Sequence, residues 1–282
     1  MFERIARSFA LVRASWGILM RDKKLLVFPV LSGIATLLVI ISFVLPLVLT
    51  GQAAHMTTTT PGSVVLLFLF YLVSYFVVIF FNTALISCVH ARLEGRAMTV
   101  GEGLAIAARH IVPILAWAFI AATVGLILHM IQERSGLLGQ IAAGIAGGVW
   151  SLVTLFVVPV MVFEDKGVFA SMKESLGLFK KTWGESIAGS ISIGLVFAAV
   201  GVVGFLFVIA AFFTGNFSVL MIAVALFIVL VAVLAIVASA MNGIFVVALY
   251  TYARTGTVPA LYPGDLVKGA FIPKLQSGPG TI

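Results

Sequence analysis

Apolar positions along the chain are organised on two length scales. On the longer scale, six runs are each long enough to cross a hydrocarbon core as a helix of roughly 20 residues: 25–49, 64–87, 111–131, 137–163, 187–213 and 219–250. The last is long enough that it must tilt, bend or project from the bilayer. The runs pair off. Within a pair the loops 50–63, 132–136 and 214–218 are nearly uncharged, whereas the loops joining pairs, 88–110 and 164–186, are longer and charged.

On the shorter scale, a nine-residue phrase recurs ahead of each pair: SFALVRASW from Ser8, GLAIAARHI from Gly103 and SLGLFKKTW from Ser175. In the first copy apolar residues fall at Phe2, Ile5, Phe9, Val12 and Trp16. In the third they fall at Phe169, Met172, Leu176, Phe179 and Trp183, and the second, with smaller residues, reads Val100, Leu104, Ala107 and Ile111. Steps of three and four residues put each set on one helix stripe, with basic and small polar residues on the other faces. The pattern predicts an all-α integral membrane protein: six transmembrane helices in three pseudo-repeated hairpins, each preceded by a cytoplasmic amphipathic interfacial helix. The chain then reads as a single polytopic domain, with repeats over about 1–96, 97–166 and 167–250 and a tail over 251–282. Thr99 and Glu102 form a capping-box signature for the second amphipathic helix. Glu164 and Asp165 suit the turn into the third. Asp265 is the N-cap expected for a short helix in the tail.

Composition strengthens this picture. Of 282 residues 62% are hydrophobic and 10% charged, with a mean hydropathy of +1.23; soluble domains carry roughly a quarter charged residues. The single cysteine, Cys88, excludes an internal disulfide or a cysteine-based metal cluster. The first run is too long for a cleaved signal peptide and reads as a retained span, although Gly51-Gln52-Ala53 offers a small-x-small cleavage pattern. Sixteen of the 17 Lys and Arg residues fall on one side of the six runs, leaving only Arg134 on the other. The positive-inside rule then places both termini in the cytoplasm, in a multi-pass protein of the cell (inner or cytoplasmic) membrane.

No Asp, Glu, Lys or Arg lies inside any of the six runs, which argues against proton- or sodium-coupled transport, because coupling needs a group that changes charge at membrane depth. His129 sits near a span end, as an interfacial anchor would. Asn82, Thr83 and Asn242 are candidates for a polar cavity lining; interhelical hydrogen bonds worth about 0.6 kcal/mol each are the plainer use of such residues. Gly144 and Gly148, and Gly194, Ala198, Gly201 and Gly204, are expected to let helices approach closely inside the bundle. Pro159 is placed to kink the fourth span. His90, His110, Glu94, Glu102, Glu164 and Asp165 match no catalytic or phosphate-binding motif and read as solvated loop residues. No catalytic residue, metal or cofactor is expected.

The basic faces carry the clearest chemistry. Arg4, Arg7, Arg13, Lys173, Lys180 and Lys181 flank stripes ending in Trp16 and Trp183. Such faces suit anionic headgroups on the cytoplasmic leaflet, at about 1 kcal/mol per basic residue; the same stripes would also serve simply to pack on the span ends. The net charge of +7 is confined to that surface, which fits lipid and not nucleic acid. Expected partners are therefore membrane lipids, with a membrane protein or a second copy as further candidates.

Several phrases also resemble a family of six-span prokaryotic membrane proteins of unknown function: Phe2 to Trp16 with Asp22-Lys23-Lys24-Leu25-Leu26-Val27-Phe28-Pro29 and Ser32-Gly33, then Phe80-Phe81-Asn82-Thr83-Ala84-Leu85, and Val246 to Ala253 with Thr255-Gly256, Val258-Pro259 and Ala270-Phe271. More loosely, Val158 to Glu164 with Ser175 and Trp183 is similar to the membrane domain beside some glycerophosphodiester phosphodiesterases, whose catalytic domain is not here. The resemblance implies a fold and supplies no activity. The expected function is non-enzymatic: organising, sensing or holding lipid or a membrane partner. A passive transporter or pore between repeats is the alternative, and an interfacial enzyme acting on lipid is the weakest reading.

Overall fold

The computed structural model describes residues 13–51, 61–134 and 136–257, with the backbone alone at 134 and 183–192. The described residues are helical almost throughout. Helix α1 (13–21) is followed by a 3-10 turn, Lys23–Leu26, and then by α2 (Val27–Leu49), α3 (Pro61–Leu93), α4 (Val100–Arg109), α5 (Ile111–Arg134), α6 (Gly136–Val153), α7 (Val157–Phe163), α8 (Val168–Lys181), α9 (Trp183–Phe213) and α10 (Phe217–Thr255). Six stretches are long and apolar enough to cross a membrane: Lys23–Leu49, Pro61–Leu93, Ile111–Glu133, Gly136–Phe163, Ile193–Phe213 and Phe217–Thr255. The chain is a multi-pass, all-helical membrane protein.

Local chemistry sets the helix ends. Thr99 Oγ1 accepts from the Glu102 amide while the Glu102 carboxylate accepts from the Thr99 amide, closing the capping box of α4. The Asn216 side chain accepts from the Ser218 and Val219 amides and starts α10. Gly95 ends α3 in the left-handed region, with the Arg96 amide reaching the Ala91 carbonyl at 2.9 Å, the pairing of a Schellman cap.

The fourth span is two helices rather than one. Pro159 has no amide to give the Leu155 carbonyl four residues earlier, and its ring crowds that position. The break falls there, between α6 and α7. Ser175, from α8, mends it: its hydroxyl donates to the Val153 carbonyl at 2.6 Å and accepts from the Phe156 amide at 3.1 Å.

Helices α3 and α10 outrun the bilayer. At about 1.5 Å per residue, the 39 residues of α10 extend about 58 Å against a core of about 30 Å. The end carrying Arg13, Lys23, Lys24, Arg92, Arg109, Lys166, Lys180 and Arg254 is here called the basic end. There, Thr83–Val89 of α3 and Ala240–Tyr250 of α10 are buried almost continuously among Leu19, Leu25, Phe28, Phe156, Met161 and Leu178. The opposite halves of the helices expose Leu138, Phe207, Phe213 and Leu226, a surface that lipid solvates as water could not.

The structure divides the sequence stripes and corrects the glycine expectation. The buried face of α8 is Val168, Ser171, Ser175, Leu178 and Phe179, whereas Phe169 and Leu176 point outward. Small hydroxyl residues, not the largest apolar ones, let α8 approach the broken span. Ser15, Ile18 and Leu19 of α1 are buried and Trp16 is exposed, whereas in α4 Ala107 of the stripe is buried beside Gly103, with Val100 and Leu104 packed partly against the core. Gly144, Gly148, Gly194 and Gly201 have no neighbouring helix against them, so they do not serve internal packing. Gly103, Gly204 and Gly243 do. The residues expected to continue the first stripe (Phe2, Arg4, Ile5, Arg7, Phe9 and Val12) and the tail helix at Asp265 lie outside the described residues.

Candidate functional site

Three features at or near the basic end combine polar chemistry with accessible space. The first is a cavity of about 230 Å³ where α2, α3 and α10 meet. Each helix contributes a stripe at helical spacing: Phe28, Pro29 and Ser32 from α2, Val78, Phe81, Asn82 and Leu85 from α3, and Ser239 and Asn242 from α10. The crossing of α3 and α10 fixes it. Gly243 sits on Leu85, and a Cβ there would come within 2.6 Å of Leu85 Cδ2. That contact brings Asn82 and Asn242 to the same space. Thr83, one residue on, turns to the other side, fully buried and with an unpartnered hydroxyl, and does not line the cavity. Among the described residues, the side chains of Ser32, Asn82, Ser239 and Asn242 make no hydrogen bond within the chain. The carboxamides therefore do not serve as interhelical clasps.

The second feature is a ring of charge joining α7, α8 and α10. Lys166 Nζ donates to Glu164 Oε2 at 2.8 Å and to Glu174 Oε2 at 3.2 Å. Arg254 closes the ring on the other oxygens, pairing with Glu164 and, at 2.8 Å, with Glu174. Tyr250 Oη donates to Glu164 at 2.7 Å, and the Arg254 guanidinium lies over the Tyr250 ring. Partial burial pushes the Glu164 carboxyl up, but donation from Lys166, Tyr250 and Arg254 outweighs it, and the net position is below the ordinary 4.5. Glu174 is lowered too, chiefly by its bond from Lys166.

A carboxyl with a depressed folded pKa contributes stability that is present above the unfolded value and lost as pH falls through the folded one. The protein in detergent is therefore expected to hold its melting temperature from neutral pH down to about 4.5 and to lose stability below that. Glu164→Gln is expected to lower stability at neutral pH by about 1–2 kcal/mol, the order for charge-assisted bonds partly open to water, and to flatten the acid limb. A variant with an unchanged acid limb would place the titrating group elsewhere.

The remaining titratable candidates divide into separate pairs. His90 stacks on Phe163 with ring centres 4.2 Å apart and faces Glu94 at 3.3 Å. Its Nδ1 is buried without a partner. His110 bonds the Ile106 carbonyl through Nδ1 and stands 3.8 Å from Asp165. His129 meets Glu133 at 3.4 Å and the Tyr71 ring. Glu102 is used in its cap. No group of three metal-ligating side chains is found among the described residues.

The third feature is a pair of outward faces. On α8, Phe169, Lys173, Leu176 and Lys180 follow one another at steps of four, three and four, all exposed, with Lys181 beside them. On α1, Arg13, Trp16 and Met20 do the same at steps of three and four. Trp183 is described only by its backbone. The sequence stripe located the residue types but not the face. Glu174, Tyr250 and Arg254 gave no sequence signal as a group, since they come from elements 80 residues apart. Ser239, three residues before Asn242, was detectable as its neighbour on one helix face.

A family model described as a family of unknown function (DUF6159) matches residues 61–260. No curated protein and no solved structure matches the chain. The match covers α3 to α10 and most of the sequence, and the chain belongs to that family. Nothing in these comparisons supports the looser likeness to the membrane domain beside glycerophosphodiester phosphodiesterases, or a prokaryotic source.

Proposed function

We propose that this member of the family is a non-enzymatic protein of the cell membrane that binds lipid along its basic end, with both termini in the cytoplasm. In this reading α1, α4 and α8 lie along the interface, and the spans derive from a threefold repeat of amphipathic helix plus hairpin. The outward face of α8 carries the proposal. Phe169 and Leu176 alternate with Lys173 and Lys180, and water alone would not favour two large exposed apolar residues on that surface. The headgroup layer favours both, because rings and aliphatic groups enter the acyl boundary while ammonium groups meet lipid phosphates. The Arg13, Trp16 and Met20 face of α1 has the same composition.

Native mass spectrometry from mixed nanodiscs tests this. Arg13→Gln, Lys173→Gln and Lys180→Gln combined are expected to lower retention of anionic phospholipid relative to zwitterionic phospholipid by about a hundredfold, from the loss of about 1 kcal/mol per basic residue. Unaltered selectivity would reject the proposal. A passive pore is the second reading, favoured by the shared cavity of Asn82 and Asn242; the lining is confined to the levels of Phe28 to Ser32 on α2, which suits a bound group better than a path across the bilayer.

A further inference from the structure

We infer that the cavity between α2, α3 and α10 binds the acylglycerol backbone of a membrane lipid, through the hydroxyl and ester-carbonyl groups of that backbone. The inference rests on the preceding reading for its orientation, since the basic end marks the headgroup layer.

Depth is the first argument. Lys23 and Lys24 are exposed immediately before α2, whose 23 residues extend about 34 Å and so match a hydrocarbon core of about 30 Å. Val27 therefore lies at the boundary, with Phe28 about 2 Å and Ser32 about 8 Å further in. The cavity therefore opens at the outer edge of the hydrocarbon core, next to the layer of glycerol and ester groups.

Chemistry is the second. Two carboxamides and two hydroxyls supply donors and acceptors in similar number, and no charged side chain lines the space. A phosphate would find no cation there, whereas esters and hydroxyls would find partners. Hydrogen-bonding groups left unmet at this depth are unfavourable, and the chain itself meets none of these four among the described residues. Access is the third argument. Ser239 and Asn242 are exposed at the lateral surface while Ser32 and Asn82 are half-buried, so a lipid can enter from the side. Apolar walls at Phe28, Val78, Phe81 and Leu85 suit the first methylenes of its chains.

The backbone could belong to a neutral diacylglycerol or to a phospholipid, and the test separates them. The full chain is placed in phosphatidylcholine nanodiscs containing equal fractions of dioleoylglycerol and dioleoylphosphatidylglycerol, and retained lipids are read by native mass spectrometry. Two variants are compared with the parent: Asn82→Leu with Asn242→Leu, which removes the bonds, and Ser32→Leu, which fills the space from an accessible helix face and stands in if the first does not fold. Loss of dioleoylglycerol by about tenfold in either variant, the effect of about 1.4 kcal/mol, supports a neutral ligand. An equal loss of the phosphatidylglycerol instead supports the phospholipid source. Retention of both lipids at parent levels in the folded variants overturns the inference, as does a parent that retains no glycerolipid, phosphatidylcholine included. If neutralising the basic face strips phosphatidylglycerol while the cavity variants strip nothing, the lipid reading stands and the cavity assignment falls. If the cavity variants alone strip lipid, the cavity assignment stands and the basic-face reading falls.

Discussion

Gly103→Val is expected to destabilise the protein by about 3 kcal/mol, the upper range for forcing extra volume into a packed core. A Cβ at Gly103 would stand 2.6 Å from Cys88 Sγ, 3.0 Å from the Ala84 carbonyl oxygen and 3.1 Å from Phe28 Cζ. The Cys88 and Phe28 side chains can rotate away, but the carbonyl belongs to the backbone of α3 and cannot. Helix α4 must therefore lift from α3, and the movement is passed to Phe28, which is both core and a wall of the α2–α3–α10 cavity. The check is thermal or denaturant unfolding in detergent, with Gly101→Val as the control, since no atom lies within 4 Å of the corresponding position there. Equal losses in both variants would show that helix propensity, not the α3–α4 contact, is responsible.

Ser175→Ala is expected to have an effect of similar size by a different route. The hydroxyl serves the Val153 carbonyl and the Phe156 amide across the break in the fourth span. Without it both backbone groups are left unmatched beside Phe156 and Val157, which are fully buried. Each unmet group costs about 1–3 kcal/mol, so a total of about 3 kcal/mol is expected. Restoring an unbroken helix should compensate. Pro159→Ala, which returns the amide that the Leu155 carbonyl lacks, is expected to recover part of the loss in a double-variant cycle. Strict additivity of the two substitutions would separate the serine from the break.

Much of the fold was legible because lipid imposes a simple rule: every backbone group at depth must be paired internally, and long apolar runs can only be helices. Six runs gave six spans, and Thr99 with Glu102 gave a cap, because both signals are local. The faces of α1 and α8 were not legible by the same logic. In water the largest apolar residues mark the buried side, but here Trp16, Phe169 and Leu176 are exposed and the tight contact goes to Ser15, Ser171 and Ser175, with Leu178 and Phe179; the proposed lipid surface would give the exposed residues a second apolar medium to face. Small-residue spacing was a partial guide. Gly144 and Gly148 form the familiar pattern yet face outward, whereas Gly204, expected from its spacing, sits at a close helix crossing, as do Gly103 and Gly243.

For the site, the sequence identified Asn82 and Asn242 as unusual at depth but could not show that one cavity holds both. That depends on Gly243 meeting Leu85, a contact between residues about 160 positions apart. The ring of Glu164, Lys166, Glu174 and Arg254 was hidden for the same reason. It ties the loop before α8 and α8 itself to the end of α10.

The placement of those faces is tested most directly by quenching. In a Cys88→Ser background, Leu176→Cys is labelled with a fluorophore and the protein reconstituted in liposomes with an anionic leaflet, then exposed in turn to a lipid-borne quencher at headgroup depth and to a water-soluble ion. Strong quenching by the shallow lipid label with little by the ion is the predicted result, and it should weaken when Lys173 and Lys180 are neutralised. Quenching by the aqueous ion alone would put the α8 face in water and contradict the assignment of the basic end to the lipid surface.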